Sequence, residues 1–354
     1  MTQFAFNFSQ VEIPQLKEIT NTKNYYQTNE KDDFFEQLIG FYENGNVHSS
    51  FINNLKDRIV GSNMTTIDPQ IQIIIDKYKL DNLFTKITFD YVLYGGFTIE
   101  IIWNVLHTQI TQLNYLDFSR VRSGYINENT DKIELFYYSP DWHKWKKEIT
   151  VYPVFNSNPE TDNRQIFYYK DIYPGKDIYP RPDYIAGLKW VYTEVELVRY
   201  YANLVKNNFV PTTLLTVPSF FDEEKQINFE KSLKQFTGGD AAGTIFVIYN
   251  EGGETTTKPE IVKFNGDPED QKYSWLSNHT VEQLIIAHRL PNPLLAGVKT
   301  PGQLGAGAEL QISEKQYNIQ VVNPKRQKVL GVINELVSFI PGELKYEVKS
   351  TNIF

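Results

Sequence analysis

The five histidines, His48, His107, His143, His279 and His288, are the first place to look for metal or acid–base chemistry, yet none forms a His-x3-His pair. Imidazoles scattered in this way offer no visible ligand set for a metal hydrolase. Glu194 and Glu196 sit two apart on an expected helix, so they point to different faces and form no carboxylate dyad. Asp32-Asp33 and Glu223-Glu224 are expected in first helical turns, where negative charge favours the helix dipole. Gly238-Gly-Asp-Ala-Ala-Gly243 could cradle an anion, but it falls between a helix and a strand. That is the wrong order for a helix N-terminus to receive phosphate, and the segment reads as a turn. Trp142-His-Lys-Trp145-Lys-Lys interleaves aromatics and bases, as single-strand nucleic-acid platforms do. A twisted hairpin with basic edge residues that oppose aggregation accounts for it better.

Other chemistry is missing outright. No Gly-x4-Gly-Lys-Ser/Thr phosphate loop occurs, so the chain does not read as a packaging ATPase. Gly302, Gly305 and Gly307 break the spacing of a dinucleotide fingerprint and do not follow a strand. There is no Gly-x-Ser-x-Gly elbow. The absence of cysteine removes disulfides, thiolate metal sites and thiol nucleophiles together. The expectation is a protein without catalytic residues, metal or cofactor: not an enzyme.

The elements that remain must therefore serve assembly. Over 354 residues, 41% are hydrophobic and 22% charged, which permits a sizeable packed core. Aromatics reach 14%, with 23 Tyr and 23 Phe, a composition suited to burying surface against copies of the same chain. The formal net charge of −8 lacks the basic surplus of a sequence-specific DNA binder. An acidic protein can still surround DNA if its task is to let the polymer pass. Met1 to Pro14 carries no secretory signal, and the apolar runs at 71–75 and 281–287 are far short of the roughly 20 residues that span a bilayer. Folding in a reducing cytoplasm, away from membranes, is expected.

Residues 1–47 read as an adaptable arm with one helical pattern at Phe34, Phe35, Leu38, Ile39 and Tyr42. A helix is predicted from Ser49 or Ser50 to Val60, ending at Gly61. Another is predicted from Asp68-Pro69, carrying Ile71, Ile74, Ile75 and Tyr78, and running to Tyr91 after a break. Beyond Gly95-Gly96 the period changes to two, and strands are predicted over 98–106, 109–116, 132–139, 147–155 and 165–170. A long helix over 183–208, about 39 Å, follows and stops before Pro211. A strand (213–217), a helix (219–236) and a strand (244–249) make a small α/β insert. A second long helix follows Asp267-Pro268 to Leu290, then a loop over 297–307 and a helical stretch over 308–340 that Pro324 must kink or restart.

At 100° per residue, Lys189, Thr193, Glu196, Arg199, Asn203, Lys206 and Asn207 share one arc of the 188–207 helix with Tyr192 and Tyr200. Glu194 is the exception, and apolar residues including Val191, Val195, Val198 and Tyr201 fill the rest. An ordinary surface helix buries a stripe of about 100° or somewhat more, so these proportions are inverted. The pattern suits a stave in a barrel of like helices around a water-filled channel. It also suits a central helix of a monomeric α-rich core with one polar edge. The α/β insert between the two long helices favours the ring.

At this level the order of parts resembles the portal proteins of tailed bacteriophages, of the compact type found in long-tailed phages. Tyr94-Gly-Gly-Phe-Thr-Ile-Glu-Ile-Ile-Trp103 and Leu113-Asn-Tyr-Leu-Asp-Phe-Ser-Arg-Val-Arg-Ser-Gly124 look like that family's wing. Asn207-Asn-Phe-Val-Pro211 looks like the end of its descending stem helix. Leu290-Pro-Asn-Pro-Leu-Leu-Ala-Gly297 is similar to its Val-Pro-x-x-Leu-Leu-Gly signature, with Leu290 in place of Val and an extra Ala296. Pro324 matches a further landmark.

The resemblance, over about residues 48–340, implies an α+β, portal-like architecture: a mixed α/β wing, two long stem helices, a small α/β clip and a kinked C-terminal helix. Its divisions are an arm (1–47), wing (48–180), descending stem (181–210), clip (211–266), ascending stem (267–290), tunnel loop (291–307) and C-terminal helix with a minimal crown (308–354). It implies a homo-oligomeric ring, usually of about twelve subunits, at one capsid vertex of a virion assembled in the host cytoplasm. Double-stranded DNA passes through non-specifically. Implied partners are the terminase large subunit, a head–tail adaptor and major capsid or scaffold protein. Implied channel contacts are Lys299, Thr300 and Gln303 in the tunnel loop, with Lys189, Glu196, Arg199 and Asn203 lining the stem. Glu223, Glu224, Lys225 and Lys231 form the implied docking face of the clip. The alternatives are another ring-forming virion protein, such as an adaptor or tail component, and a metal-dependent nuclease.

Overall fold

The computed structural model describes residues 13–20, 24–61, 64–65, 69–143, 148–157, 159, 162–176, 178–206, 213–218, 224, 227–228, 231, 245–250, 260–263, 269–298, 307–340 and 349–350. Two compact units emerge: Met1–Tyr192 together with Thr280–Phe354, and Thr193–His279.

In the first unit, α1 (Phe34–Asn44) and α2 (Asn46–Val60) are separated only by Gly45, which is extended. Helix α2 begins earlier than the sequence suggested, because His48 and Phe51 both belong to its buried face. It ends at Gly61, whose φ of 72° suits glycine. Helices α3 (Pro69–Tyr78) and α4 (Leu80–Tyr94) are divided by Lys79 in the left-handed region, at φ 52°. Helix α4 is the central one: Leu83, Phe84, Ile87, Tyr91 and Tyr94 are buried around it. At its end Gly95 adopts φ 84°, and a side chain there would collide with the Arg181 carbonyl oxygen.

The stretch expected as an arm is, from residue 13, part of this core. Leu16, Tyr25, Phe34, Phe35 and Leu38 are all buried. Residues 19 and 27 bridge each other, and Tyr25 bridges Gly124. Asp32 does not serve a helix dipole as expected. It sits just before Asp33, the N-terminal neighbour of α1, at φ 57°, and its Oδ1 receives Arg122 Nε at 2.7 Å. Arg122 is fully buried. Its guanidinium also donates to the carbonyls of Asp32 (2.9 Å) and Ser119 (2.6 Å), and it lies over the Trp142 ring at 5.0 Å. Trp142 is therefore no exposed stacking platform: it is 4% exposed and donates to the Arg120 carbonyl. Residues 144–147 lie outside the described ones.

Two three-stranded antiparallel sheets follow. One has the order β3-β2-β9, from β2 (Gly96–Trp103), β3 (Ile110–Leu116) and β9 (Arg164–Lys170). The other has the order β4-β7-β8, from β4 (Val121–Ser123), β7 (Leu135–Tyr138) and β8 (Thr150–Pro153). A hairpin, β5 (Ile126–Asn127) with β6 (Lys132–Ile133), stands beside them. Ile99 and Ile101 pack on the helical core, while Leu116, Val121, Phe136, Tyr152 and Ile166 form a separate small cluster. Strand β2 is shorter than predicted. Val105 and Leu106 belong to an exposed turn instead. The 132–139 strand is broken at Glu134, and β1 (Met64–Thr65) pairs with β13 (Lys349–Ser350).

The C-terminal stretch comprises α7 (Gly307–Tyr317), a π-helical turn at Asn318–Val322 and α8 (Asn323–Val337). Pro324 sits in the first turn of α8. Its ring and missing N–H conflict with a regular α-turn, and the wider π-turn takes up the mismatch without ending the helix. Val329, Ile333 and Leu336 of α8 are fully buried.

The long helix expected from 183 opens as a 3-10 turn, Asp183–Gly187, before α5 (Leu188–Lys206). In the second unit, β10 (Thr213–Pro218) pairs in parallel with β11 (Ile245–Asn250) and antiparallel with β12 (Glu260–Lys263), a strand the sequence reading did not foresee. A parallel pair needs a crossover. Within it, residues 224, 227, 228 and 231 are helical, and the rest of the 219–236 helix lies outside the described residues. Helix α6 (Glu269–Ala287) follows.

Candidate functional site

Helix α5 carries the polar row inferred from the sequence. Lys189 is exposed, and Glu196 Oε1 meets Arg199 Nη1 at 2.7 Å across one helical turn, with the Arg199 side chain 66% exposed. So exposed a pair contributes little to stability, about 0.3–0.5 kcal/mol. Its value is placement: a cation and an anion held alternately along one wet edge. Asn203 belongs to the same helix, and its side chain lies outside the described ones.

The apolar side of α5 divides in two along its length. Leu188, Val191 and Val195 are buried, and so is Glu194, which the wheel marked as an exception. Beyond Val195, among the described residues, Leu197 is half-buried, while Val198 is 46% and Tyr201 40% exposed. On α6, Trp275 is 64% exposed, its ring stacked on His279 at 5.0 Å. These are large apolar groups that the chain itself leaves in water.

The first part of the expected tunnel loop is held tightly, as a turn. The Asn292 side chain accepts from the Leu294 amide, Pro293 opens a 3-10 turn, and Gly297 closes it at φ 74°. Helix α2 grips this turn from outside: Ser50 Oγ donates to the Ala296 carbonyl at 2.9 Å, and Asn54 Nδ2 donates to the Leu295 carbonyl at 2.6 Å. Just behind, His48 Nδ1 and His288 Nε2 are 3.0 Å apart, stacked among Tyr184 and Phe51. The histidines that look scattered in the sequence thus include a contact pair. Burial holds His48 down to about 3, and burial with the neighbouring imidazole holds His288 well below its ordinary value, so both are neutral. Lys299, Thr300 and Gln303 themselves lie outside the described residues.

Where the 3-10 turn enters α5, Asp183 accepts from Lys325 at 3.0 Å and faces Arg289 at 3.5 Å. Burial opposes its charge, but these two cations hold the carboxyl below its usual range. Lys328 pairs with Asp171 at 2.7 Å, and Asp171 also accepts from Tyr91. Of the positions expected on a clip docking face, Glu224 and Lys231 are exposed, while Glu223 and Lys225 lie outside the described residues. Among the described residues no three His, Asp or Glu side chains gather as a metal site, and no helix is long and apolar enough to cross a membrane.

No family model matches the sequence, and no curated protein matches it significantly. Solved structures do match. One is a chain from the neck of an empty gene transfer agent particle computed with C6 symmetry, at TM-score 0.56 and 13% identity, over 86% of this chain and 81% of that one. Another comes from the virion of the native gene transfer agent particle, at TM-score 0.55 and 13% identity, over 87% and 81%. A third comes from the native neck computed with C12 symmetry, at TM-score 0.55 and 14% identity, over 87% and 81%. At such identities the likeness is one of fold: this chain has the α+β fold found in chains of those particle necks and virions.

Proposed function

We propose that the chain is a portal subunit, forming the ring at one capsid vertex through which double-stranded DNA enters and leaves a virion. The observation that carries this reading is helix α5. Its polar edge (Lys189, Glu196, Arg199) is wet, Leu188, Val191 and Val195 are buried, and Val198 and Tyr201 further along stand exposed. Copies of the helix set side by side would cover those residues and turn the polar edge toward a common channel. The fold shared with chains of necks computed with C6 and with C12 symmetry supports a ring, and the second of these is compatible with about twelve subunits.

In this reading Asn203 continues the channel lining, and Lys299, Thr300 and Gln303 reach the DNA from a loop whose near end α2 and the His48–His288 contact hold in place. The clip, with Glu223, Glu224, Lys225 and Lys231, receives the terminase large subunit and later the head–tail adaptor. The wing faces capsid or scaffold protein. Twelve copies at −8 carry a net charge of about −96, which confines phosphate without holding it. No catalytic step is assigned.

Mass measurement of the purified chain is the direct test. Twelve chains of 41.2 kDa form a discrete particle of about half a megadalton. A stable monomer with nuclease activity that depends on divalent cations would overturn the proposal.

A further inference from the structure

A groove of about 530 Å³ lies between the α3–α4 corner and β3, the outer strand of its sheet. Three lysines line it, Lys77, Lys79 and Lys86, all exposed, and no carboxylate does. Lys77 Nζ sits 5.3 Å from the Tyr78 ring centre and Lys86 Nζ 5.4 Å from that of Tyr115, so two of the three ammonium groups rest on aromatic faces. The neighbouring acids are engaged elsewhere: Asp76 accepts from Gln72, Asp81 from the Met64 amide, and buried Asp90 from Tyr115 and the Phe118 amide. In a chain of net charge −8, this is a concentrated basic hollow.

The same unit bears the opposite shape and the opposite charge. The β5–β6 hairpin projects with residues 128–132 all exposed, carrying Glu128 and Asp131 at its tip and exposed Glu134 at its base, against one cation, Lys132. Its form is held internally. The Asn127 carbonyl receives the amides of Thr130 and Asp131, and its Oδ1 receives the Asn129 amide. Glu134 accepts from Asn127 Nδ2 at 2.9 Å and from Thr130 Oγ1 at 2.8 Å, bonds that keep its carboxyl below the usual range. A tip already ordered in the free chain loses little freedom on docking.

We infer that the β5–β6 hairpin of one subunit docks in the Lys77–Lys79–Lys86 groove of the next copy, a head-to-tail contact that fixes neighbour order around the ring. The inference rests on the ring reading above and names a contact within it. A ring is closed by two different surfaces on each subunit meeting repeatedly, and a convex acid tip with a concave basic hollow is such a pair. A nucleic acid is the weaker occupant. A duplex presents one charge per about 1.7 Å, so three lysines would meet only a few phosphates, against the repulsion of the remaining chain.

The test is a charge exchange in the full-length chain, read by native mass and sedimentation near physiological salt. The groove variant K77E/K79E/K86E and the hairpin variant E128K/D131K should each fail to close rings. Mixed one to one, they should assemble, because each variant's altered surface then meets the other's. A chain carrying all five substitutions should also form rings. Rings from either variant alone overturn the contact, as does a mixture that stays dissociated while both variants keep wild-type melting curves. If a reversal variant misfolds, K79Q and D131N replace it. Each should raise the concentration at which rings dissociate by about tenfold, and the double variant should do no worse than the poorer single. Additive losses overturn the contact. A groove variant that keeps its ring but loses DNA retention also overturns it, in favour of a nucleic-acid site. A wild-type chain that is monomeric at every concentration defeats the ring reading itself, a result distinct from all of these.

Discussion

Arg122 and Asp32 meet at 2.7 Å with the Arg122 side chain wholly out of solvent, tying β4 to the segment that leads into α1. Such a pair is costly to break from one side, because the partner left behind is a buried uncompensated charge. Asp32→Ala should therefore destabilise the chain by about 3–5 kcal/mol, read as a fall in the urea midpoint. Replacing both partners by apolar residues, as in D32L/R122M, should cost clearly less. A double variant as unstable as the single one would show that the guanidinium's carbonyl contacts, and not the ion pair, hold the segment.

The His48–His288 contact makes stability depend on pH in a definite direction. Both imidazoles are held neutral in the fold by burial, His48 down to about 3. Above about pH 7.5, a unit over the ordinary imidazole value, they are neutral folded or unfolded and contribute almost no slope. Below that value the unfolded chain takes up protons that the folded pair refuses, so stability falls as pH drops, by up to about 1.4 kcal/mol per pH unit for each histidine. His288→Phe should flatten this slope between pH 6.5 and 5 relative to wild type, measured by denaturant titration at each pH. An unchanged slope would mean that the pair is already open at pH 6.5.

Glycine at position 95 is required twice over, by φ 84° and by the Arg181 carbonyl where a Cβ would stand. Gly175 also has positive φ, at 73°, but nothing lies within 4 Å of an added Cβ. Gly95→Ala should then cost about 2 kcal/mol or more, and Gly175→Ala about 1 kcal/mol, measured side by side by thermal unfolding. Equal losses would mean that the α4–β2 corner relaxes away from residue 181.

Much of this scaffold was legible where one residue type dictates local geometry. Pro69 opened α3, Gly61 and Gly95 ended helices, and Pro324 marked the irregular turn in the C-terminal stretch. Where a residue's chemistry did not announce its backbone, the pattern failed. A break after Tyr78 was expected, but not that Lys79 would make it in a conformation lysine rarely takes, and Val105 and Leu106 extended a strand pattern into a turn. Strands of two or three residues such as β4 and β5 are too short to show a period. The contacts that organise the site were out of reach for another reason. His48 and His288 are 240 positions apart and Asp32 and Arg122 are 90, and no spacing rule connects them.

The α5 surface beyond Val195 gives the test that bears most directly on assembly. Val198 and Tyr201 are already 46% and 40% exposed in the single chain, so charged substitutions there bury no new charge within it. V198D/Y201D should leave the melting temperature of the isolated chain within about 2 °C of wild type, as surface changes do. If like helices pack side by side, the same two carboxylates fall inside every subunit contact, where unpaired charge costs several kcal/mol. Rings should then dissociate, and sedimentation should report single chains at concentrations where wild type is assembled. R199A is the control on the polar edge: it removes an exposed charge and should leave assembly intact. Rings that survive V198D/Y201D would show that this half of the helix faces solvent in the assembled particle, and the stave arrangement would have to be abandoned.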